Sequence, residues 1–337
     1  MTFDTDSVAG RSAPPSNRRS LLVNGLRVAV TVAIVVAIAF AVKSQWTEVR
    51  GAIRDLQWWP MAASTVFIFL GMGAAIRGWQ HALGALEHPI PAFDAARCYL
   101  VGQLGKYLPG SVWAFVLQGE LARRAGVSGA AAFIAVLVTA GLSTTSALIV
   151  GLLGLPALFQ IGTPAAVAVI AVTPIALVCA YPRTLTRLVN FALKLLRRAP
   201  LHRPLAMHKV GLALVWCAIS WVAYGFHLWL LASTFGGFGT DRLIASIGAI
   251  SLAMCAGVLV FVVPSGIGVR EAVIVAALAP VADAGTALAL ALTSRLLFTL
   301  CEVFAGSIAA VAGSRSLRNA LVHEQSRVPH AHVAYQR

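Results

Sequence analysis

Six apolar stretches divide this chain: Leu26 to Val42, Trp58 to Ile76, Ala130 to Leu155, Thr163 to Ala180, Val210 to Ala232 and Thr286 to Val311. A helix needs about 20 apolar residues to cross the hydrocarbon of a bilayer, and these are of that order. Of the 337 residues, 59% are hydrophobic and 11% charged, where a soluble domain carries about a quarter charged residues. The expected fold class is therefore all-α, a polytopic integral membrane protein. The net charge of +14 does not point to nucleic acid. The basic residues lie between the apolar stretches, as in cytoplasmic loops, and not on one soluble face.

Two further apolar regions, Phe93 to Arg124 and Leu243 to Pro280, are interrupted by Pro and Gly. The first break reads Gly105-Lys106-Tyr107-Leu108-Pro109-Gly110-Ser111, the second Val263-Pro264-Ser265-Gly266-Ile267-Gly268-Val269-Arg270-Glu271. At membrane depth a helix can break only where protein or a polar cavity satisfies the freed backbone groups. Paired breaks in corresponding places of two halves point to a substrate site. If the first region crossed once, Arg123 and Arg124 would lie across the membrane from Arg77 and Arg97, against the positive-inside rule. If each broken region enters and leaves on one side, every basic cluster becomes cytoplasmic, as do both termini. Residues 58–155 then read span, hairpin, span, and residues 210–312 repeat that order upside down. The expected architecture is about six full spans plus two re-entrant broken hairpins in an inverted repeat.

The expected domain boundaries are a disordered cytoplasmic N-terminus over residues 1–25, a transmembrane domain over 26–313 and a disordered cytoplasmic tail over 314–337. Arg18 and Arg19 before Leu21, with Ala39-Phe40-Ala41 beyond, have the look of an export signal. The apolar run is long for one and many spans follow, so it reads as a retained first span with a cytoplasmic anchor. Residues 181–209 form an amphipathic linker, with Arg183, Arg187, Asn190, Lys194 and Arg197 on one helical face. Leu185, Leu188, Val189, Ala192, Leu195 and Leu196 occupy the other. With seven Lys or Arg and no acidic residue from Tyr181 to Lys209, the residues Arg183, Arg187, Lys194, Arg197 and Arg198 suit anionic lipid, each worth about 1 kcal/mol near the surface. A plain orientation anchor fits the same residues. Cys98, Cys179, Cys217, Cys255 and Cys301 stand singly in apolar stretches and read as inert core residues. His323, His330 and His332 fall in the polar tail. No metal and no cofactor is expected.

A charge within a span costs about 2.5 to 3.5 kcal/mol on insertion scales and asks for an explanation. Arg295 and Glu302 lie seven residues apart in the last span, on one helical face. Arg270 and Glu271 follow the second break, Glu120 follows the first, and Lys106 stands inside it, placed either to reach a phosphate or to snorkel. Arg270, Glu271, Arg295, Glu302, Glu120 and Lys106 are the candidate substrate-binding residues, with Pro109, Gly110, Pro264, Gly266 and Gly268 as the breaks. Two readings stand side by side. Arg295 with Glu271 and Arg270 with Glu302 form a structural network, or Arg270 and Arg295 hold a lipid phosphate in their forked guanidinium groups. A half-helix beginning after Gly266 or Gly110 would add free N–H groups as an anion site. Thr139, Ser143 and Ser146 form a polar stripe that suits bonds to the preceding turn. His227 reads as an interfacial residue with one satisfied nitrogen or as a proton relay, and Trp58-Trp59-Pro60 as an aromatic belt and helix start.

Pro264-Ser265-Gly266-Ile267-Gly268-Val269-Arg270-Glu271-Ala272, followed by Arg295-Leu296, resembles the C-terminal signature of the lysylphosphatidylglycerol synthase transmembrane family. This is the flippase-like membrane part of the multiple peptide resistance factor. Lys106-Tyr107-Leu108-Pro109-Gly110, Gly119-Glu120 and Arg123-Arg124-Ala125-Gly126-Val127-Ser128 agree more loosely, and the resemblance covers about Trp58 to Gly313. It implies two inverted repeats with re-entrant helices that move phospholipid between leaflets. Where the family often has an acidic-Arg pair after the Gly-Val-Ser stretch, this chain has Thr139, Ser143 and Thr144. After Val311 comes only a short polar tail, so lysine transfer to lipid is not expected.

The expected function is a translocase for phospholipid or a polyprenyl-phosphate-linked lipid, in the plasma membrane, with no ATP motif GxxxxGK[ST] and no enzyme activity. The alternatives are an intramembrane enzyme on lipid-linked sugar, or an accessory scaffold. The expected partners are the lipid substrate and anionic lipid. A separate synthase or glycosyltransferase and a homo-oligomer remain open.

Overall fold

The computed structural model describes residues 57–327 except 108–111, 157–158, 160–162, 196, 198, 202, 236, 260–267, 279–281 and 283. Residues 1–25, the stretch Leu26 to Val42, Pro109, Gly110, Pro264, Gly266 and Arg198 lie outside them. All described residues belong to one compact unit, Gln45–Arg337.

The described helices are α1 (Trp58–Ala85), α2 (Ala92–Gln103) with a 3-10 turn (Leu104–Tyr107), α3 (Val112–Arg124), α4 (Gly129–Gly151), α5 (Thr163–Ala180) and α6 (Pro182–Leu195). They continue with α7 (Met207–Ser233), α8 (Thr240–Leu259), α9 (Val269–Leu278) and α10 (Ala284–Arg327). No strand occurs among the described residues. Local chemistry sets several ends: the Ser128 hydroxyl accepts from the Ala131 N–H at 3.3 Å and caps α4, and Gly126, with φ of 92°, makes the turn before it. Segments Trp58–Ala85, Gly129–Gly154, Met207–Ser233, Thr240–Gly257 and Thr286–Gly313 are long and apolar enough to cross a membrane. α5 bends by 76° into α6, and the pair together makes a sixth candidate span.

The packing maps onto itself when the halves are exchanged. α1 packs on α7 across the centre; α2 packs on α3, as α8 on α9; α3 packs on α4, as α9 on α10; and α2 packs on α10, as α8 on α4. The bases of the two hairpins lie at opposite ends of α10. Gly313 faces Arg97 of α2, whereas Leu278 and Ala282 border a cavity with Thr286 and Leu290. This is the inverted arrangement read from the sequence. Glycine permits the close approaches: Gly154 and Gly248 face each other with no room for a Cβ, and a Cβ on Gly105 would sit 2.7 Å from the backbone of Trp113 and Ala114. Small residues serve this way in membranes, where apolar burial alone does not drive helices together.

Two expectations need correction. α10 continues as helix to Arg327, past the boundary set at 313, because Ser314 to Arg327 contains neither Gly nor Pro and the next proline is Pro329. The apolar face of α6 is also not a single surface. Leu185, Val189 and Leu193 are buried, while Leu188, Phe191 and Leu195 are exposed, since α6 packs on α4 and α5 and leaves one apolar flank uncovered.

Candidate substrate site on α10

α10 carries Arg295, Phe298 and Glu302 at i, i+3 and i+7, a spacing that keeps three side chains on one helical face. Each hairpin reaches that face. From the first, Lys106 forms an ion pair with Oε1 of Glu302, and the Tyr107 hydroxyl donates to Oε2 at 2.5 Å. Both stand in the 3-10 turn directly before the break. Glu302 is buried, and its carboxylate is held on both oxygens.

From the second hairpin, Glu271 takes Arg295 on Oε1 and accepts the Gly268 N–H on Oε2 at 2.6 Å. Gly268 occupies the N-cap of α9 and Glu271 stands three residues on, so the carboxylate completes half of a capping box. Gly268 has φ of 83°, in the left-handed region that glycine enters without a Cβ clash. The Gly268 N–H at the start of α9 is thus spent on Glu271.

Arg270 is differently placed. It is 8% exposed, and its guanidinium carbon lies 5.9 Å from the centre of the Phe298 ring, a cation–π geometry. Its Nε has no hydrogen-bond partner among the described residues. The expected pairing of Arg270 with Glu302 is not made. Lys106 and Tyr107, which the fold delivers from the opposite hairpin, occupy that carboxylate instead. Lys106 does not snorkel to the surface but is drawn in by Glu302. Among the described residues three cations (Lys106, Arg270, Arg295) stand beside two carboxylates (Glu271, Glu302), with Arg270 in an ion pair with neither.

Phe298 is the hub beneath these charges. Tyr224 and His227 meet its ring edge-on at centroid distances of 4.9 and 5.1 Å. His227 is fully buried; Nδ1 lies 3.3 Å from the Ser64 carbonyl and Nε2 lies 2.9 Å from the Ser294 hydroxyl. A carbonyl only accepts, so the proton is assigned to Nδ1, and Nε2 accepts from Ser294. His227 is therefore not the half-satisfied interfacial residue expected; it ties α1, α7 and α10 together. Tyr99, Gln103, Lys106, Trp221, Phe298 and Glu302 border a cavity of about 90 Å³, room for several waters.

Other candidates fall elsewhere. Glu120 accepts hydrogen bonds from Arg123 at 2.8 and 2.9 Å and from Arg124 at 3.0 Å, which pull its carboxyl down to about 2. It makes no described contact with the central charges. Thr139 and Ser146 donate to the Ala135 and Ser143 carbonyls of their own helix, and Trp221 Nε1 donates to the Ser143 carbonyl at 3.0 Å. The polar stripe of α4 is spent on its own backbone and on Trp221 of α7. Among the described residues no group of three or more His, Cys, Asp or Glu is placed to hold a metal ion. Sequence reasoning missed Phe298 and Tyr107. The first was findable by its spacing between Arg295 and Glu302, the second by its place beside Lys106.

A family model described as Lysylphosphatidylglycerol synthase TM region matches residues 26–306. No curated protein matches the chain.

Proposed function

Because the chain belongs to the lysylphosphatidylglycerol synthase TM region family, we propose that it moves an anionic membrane lipid between leaflets without chemical change, with the phosphate bound at Arg270. The observation that carries this reading is the buried Arg270 guanidinium, whose Nε has no hydrogen-bond partner among the described residues and which makes no described ion pair. Leaving a buried charge unpaired is costly, and a forked guanidinium suits a phosphate that can take two N–H donors. A phosphodiester carries one negative charge, the match for the single Arg270 guanidinium.

Arg270 is buried and the cavity of about 90 Å³ on the Lys106 and Glu302 side of Phe298 is well below the roughly 300 Å³ or more of ordinary ligand pockets, so admitting a headgroup to Arg270 requires a hairpin to move away from α10. The ion pairs on Glu302 and Glu271 are the contacts that must open. Alternate opening of hairpins based at opposite ends of α10 gives alternating access. The basic residues Arg97, Arg123 and Arg124 belong to the first hairpin, which supports a cytoplasmic base for it in a plasma-membrane protein.

Purified protein reconstituted in vesicles with fluorescent phosphatidylglycerol tests the reading. The wild-type chain should equilibrate the lipid between leaflets and leave it chemically unchanged, and Arg270→Gln should reduce the rate at least tenfold while folding normally. A chemically altered lipid would indicate an enzyme, and no movement at all would indicate a scaffold.

A further inference from the structure

α6 presents three different sectors, not two. Leu185, Val189 and Leu193 face the protein core. Arg183, Arg187 and Lys194 are exposed on one flank, and Leu188, Phe191 and Leu195 are 47%, 69% and 77% exposed on the other. On a helix of about 3.6 residues per turn, the basic and the exposed apolar residues each lie about 130° from the core-facing line, on opposite sides of it. The bend of 76° sets α6 nearly at right angles to α5, so a membrane normal taken along α5 puts α6 close to the membrane plane.

The helix is fixed in that attitude. Asn190 Oδ1 accepts the Leu201 N–H at 2.9 Å and Thr186 Oγ1 accepts the Leu205 N–H at 3.1 Å, so the chain returning to α7 is strapped along it. Rotation that would bury the exposed apolar flank would break both bonds and turn Val189 out of the core. A helix held with its core face sideways has one flank toward water and one toward hydrocarbon. The charges select which.

We infer that α6 is a binding surface for the anionic phospholipid of one leaflet, with acyl chain along Leu188, Phe191 and Leu195 and headgroup at Arg183, Arg187 and Lys194. Charge complementarity commits it to that occupant. No acidic residue occurs from Tyr181 to Lys209, so the basic flank has no carboxylate of its own segment to answer it, and basic residues at a membrane surface favour anionic lipid. This surface is separate from the transport site and does not depend on what the protein carries.

The test uses the full chain in phosphatidylcholine vesicles, with and without phosphatidylglycerol. Nitroxide labels at positions 187, 191 and 195 should divide by flank: those at 191 and 195 relax with oxygen dissolved in hydrocarbon, that at 187 with a water-borne nickel chelate. In the unlabelled chain, the triple variant Arg183→Gln, Arg187→Gln, Lys194→Gln should lose preference for spin-labelled phosphatidylglycerol over phosphatidylcholine, by about fivefold per charge removed. All three residues are exposed, so an unchanged melting temperature separates lost binding from lost folding. A label at 191 that is as open to the chelate as one at 187, or a triple variant that keeps its preference, overturns the inference.

Discussion

The two hairpins are related by the packing but not by their chemistry. The first has nearly equal arms, α2 of 12 residues and α3 of 13, each about 19 Å long. The second joins α8 of 20 residues to α9 of 10, one arm long enough to cross by itself. The first brings cation and hydroxyl to α10 from just before its break; the second brings a carboxylate from just after. Both end on one helix, and α4, the counterpart of α10 in the first half, receives no charge from either among the described residues. Its Thr139 and Ser146 hydroxyls turn back on their own backbone. A repeated backbone can therefore carry an unrepeated site: the fold needs only matched helix lengths and small contact residues, whereas the charges need partners. One helix thus holds residues of both hairpins, by links of opposite polarity.

The strongest way to break this comparison is to remove Glu302. Two groups of the first hairpin, Lys106 and Tyr107, depend on it, and stranding a buried charge costs about 3 to 5 kcal/mol. Glu302→Leu should give the largest loss in melting temperature and in transport. A variant as stable as wild type would show that the first hairpin is held by packing alone.

Glu271 and Arg295 come next, because they separate support from substrate binding. Arg295→Leu alone should be severe. Arg295→Leu with Glu271→Gln should recover stability, since removing a whole buried pair is tolerated far better than stranding half of it, though part of the capping box remains lost. Transport that also recovers in the double variant would exclude Arg295 from headgroup binding and leave Arg270 as the guanidinium for it. Arg295→Lys keeps the charge and loses the fork, so its effect should be smaller than that of Arg295→Leu, and transport rate should fall further than melting temperature.

The helices were legible because hydrophobic length and the placement of basic residues are local signals. Trp58, Ser128 and Ser233 lie within a few residues of the ends read from the sequence, and the opposed hairpins follow from charge alone. The pairing of side chains was not legible. Nothing in the spacing of Arg270, Glu271, Arg295 and Glu302 says that Lys106, 196 residues away, will claim Glu302, because that contact depends on how α2 packs along α10. The same limit hid the split apolar face of α6: periodicity distinguishes apolar from polar, and cannot tell core from lipid. Glu120 is the opposite case, since its described ion-pair partners are its own neighbours.

Glu120 therefore supplies the smallest expected effect and the contrast that sharpens the others. Its pairs with Arg123 and Arg124 are at i+3 and i+4 on an exposed helical face, where salt and side-chain entropy leave little net stabilisation. Its carboxyl is lowered from 4.5 to about 2, so whatever these pairs contribute is fully present above about 4.5 and fades as pH falls toward 2. Glu120→Gln should leave melting temperature and transport indistinguishable from wild type at neutral pH, and the two proteins should converge further in acid. Should Glu120→Gln instead reduce transport as strongly as Arg270→Gln, the first hairpin would carry a second charged site on α3, and the asymmetry between the halves would be smaller than the ion pairs on α10 imply.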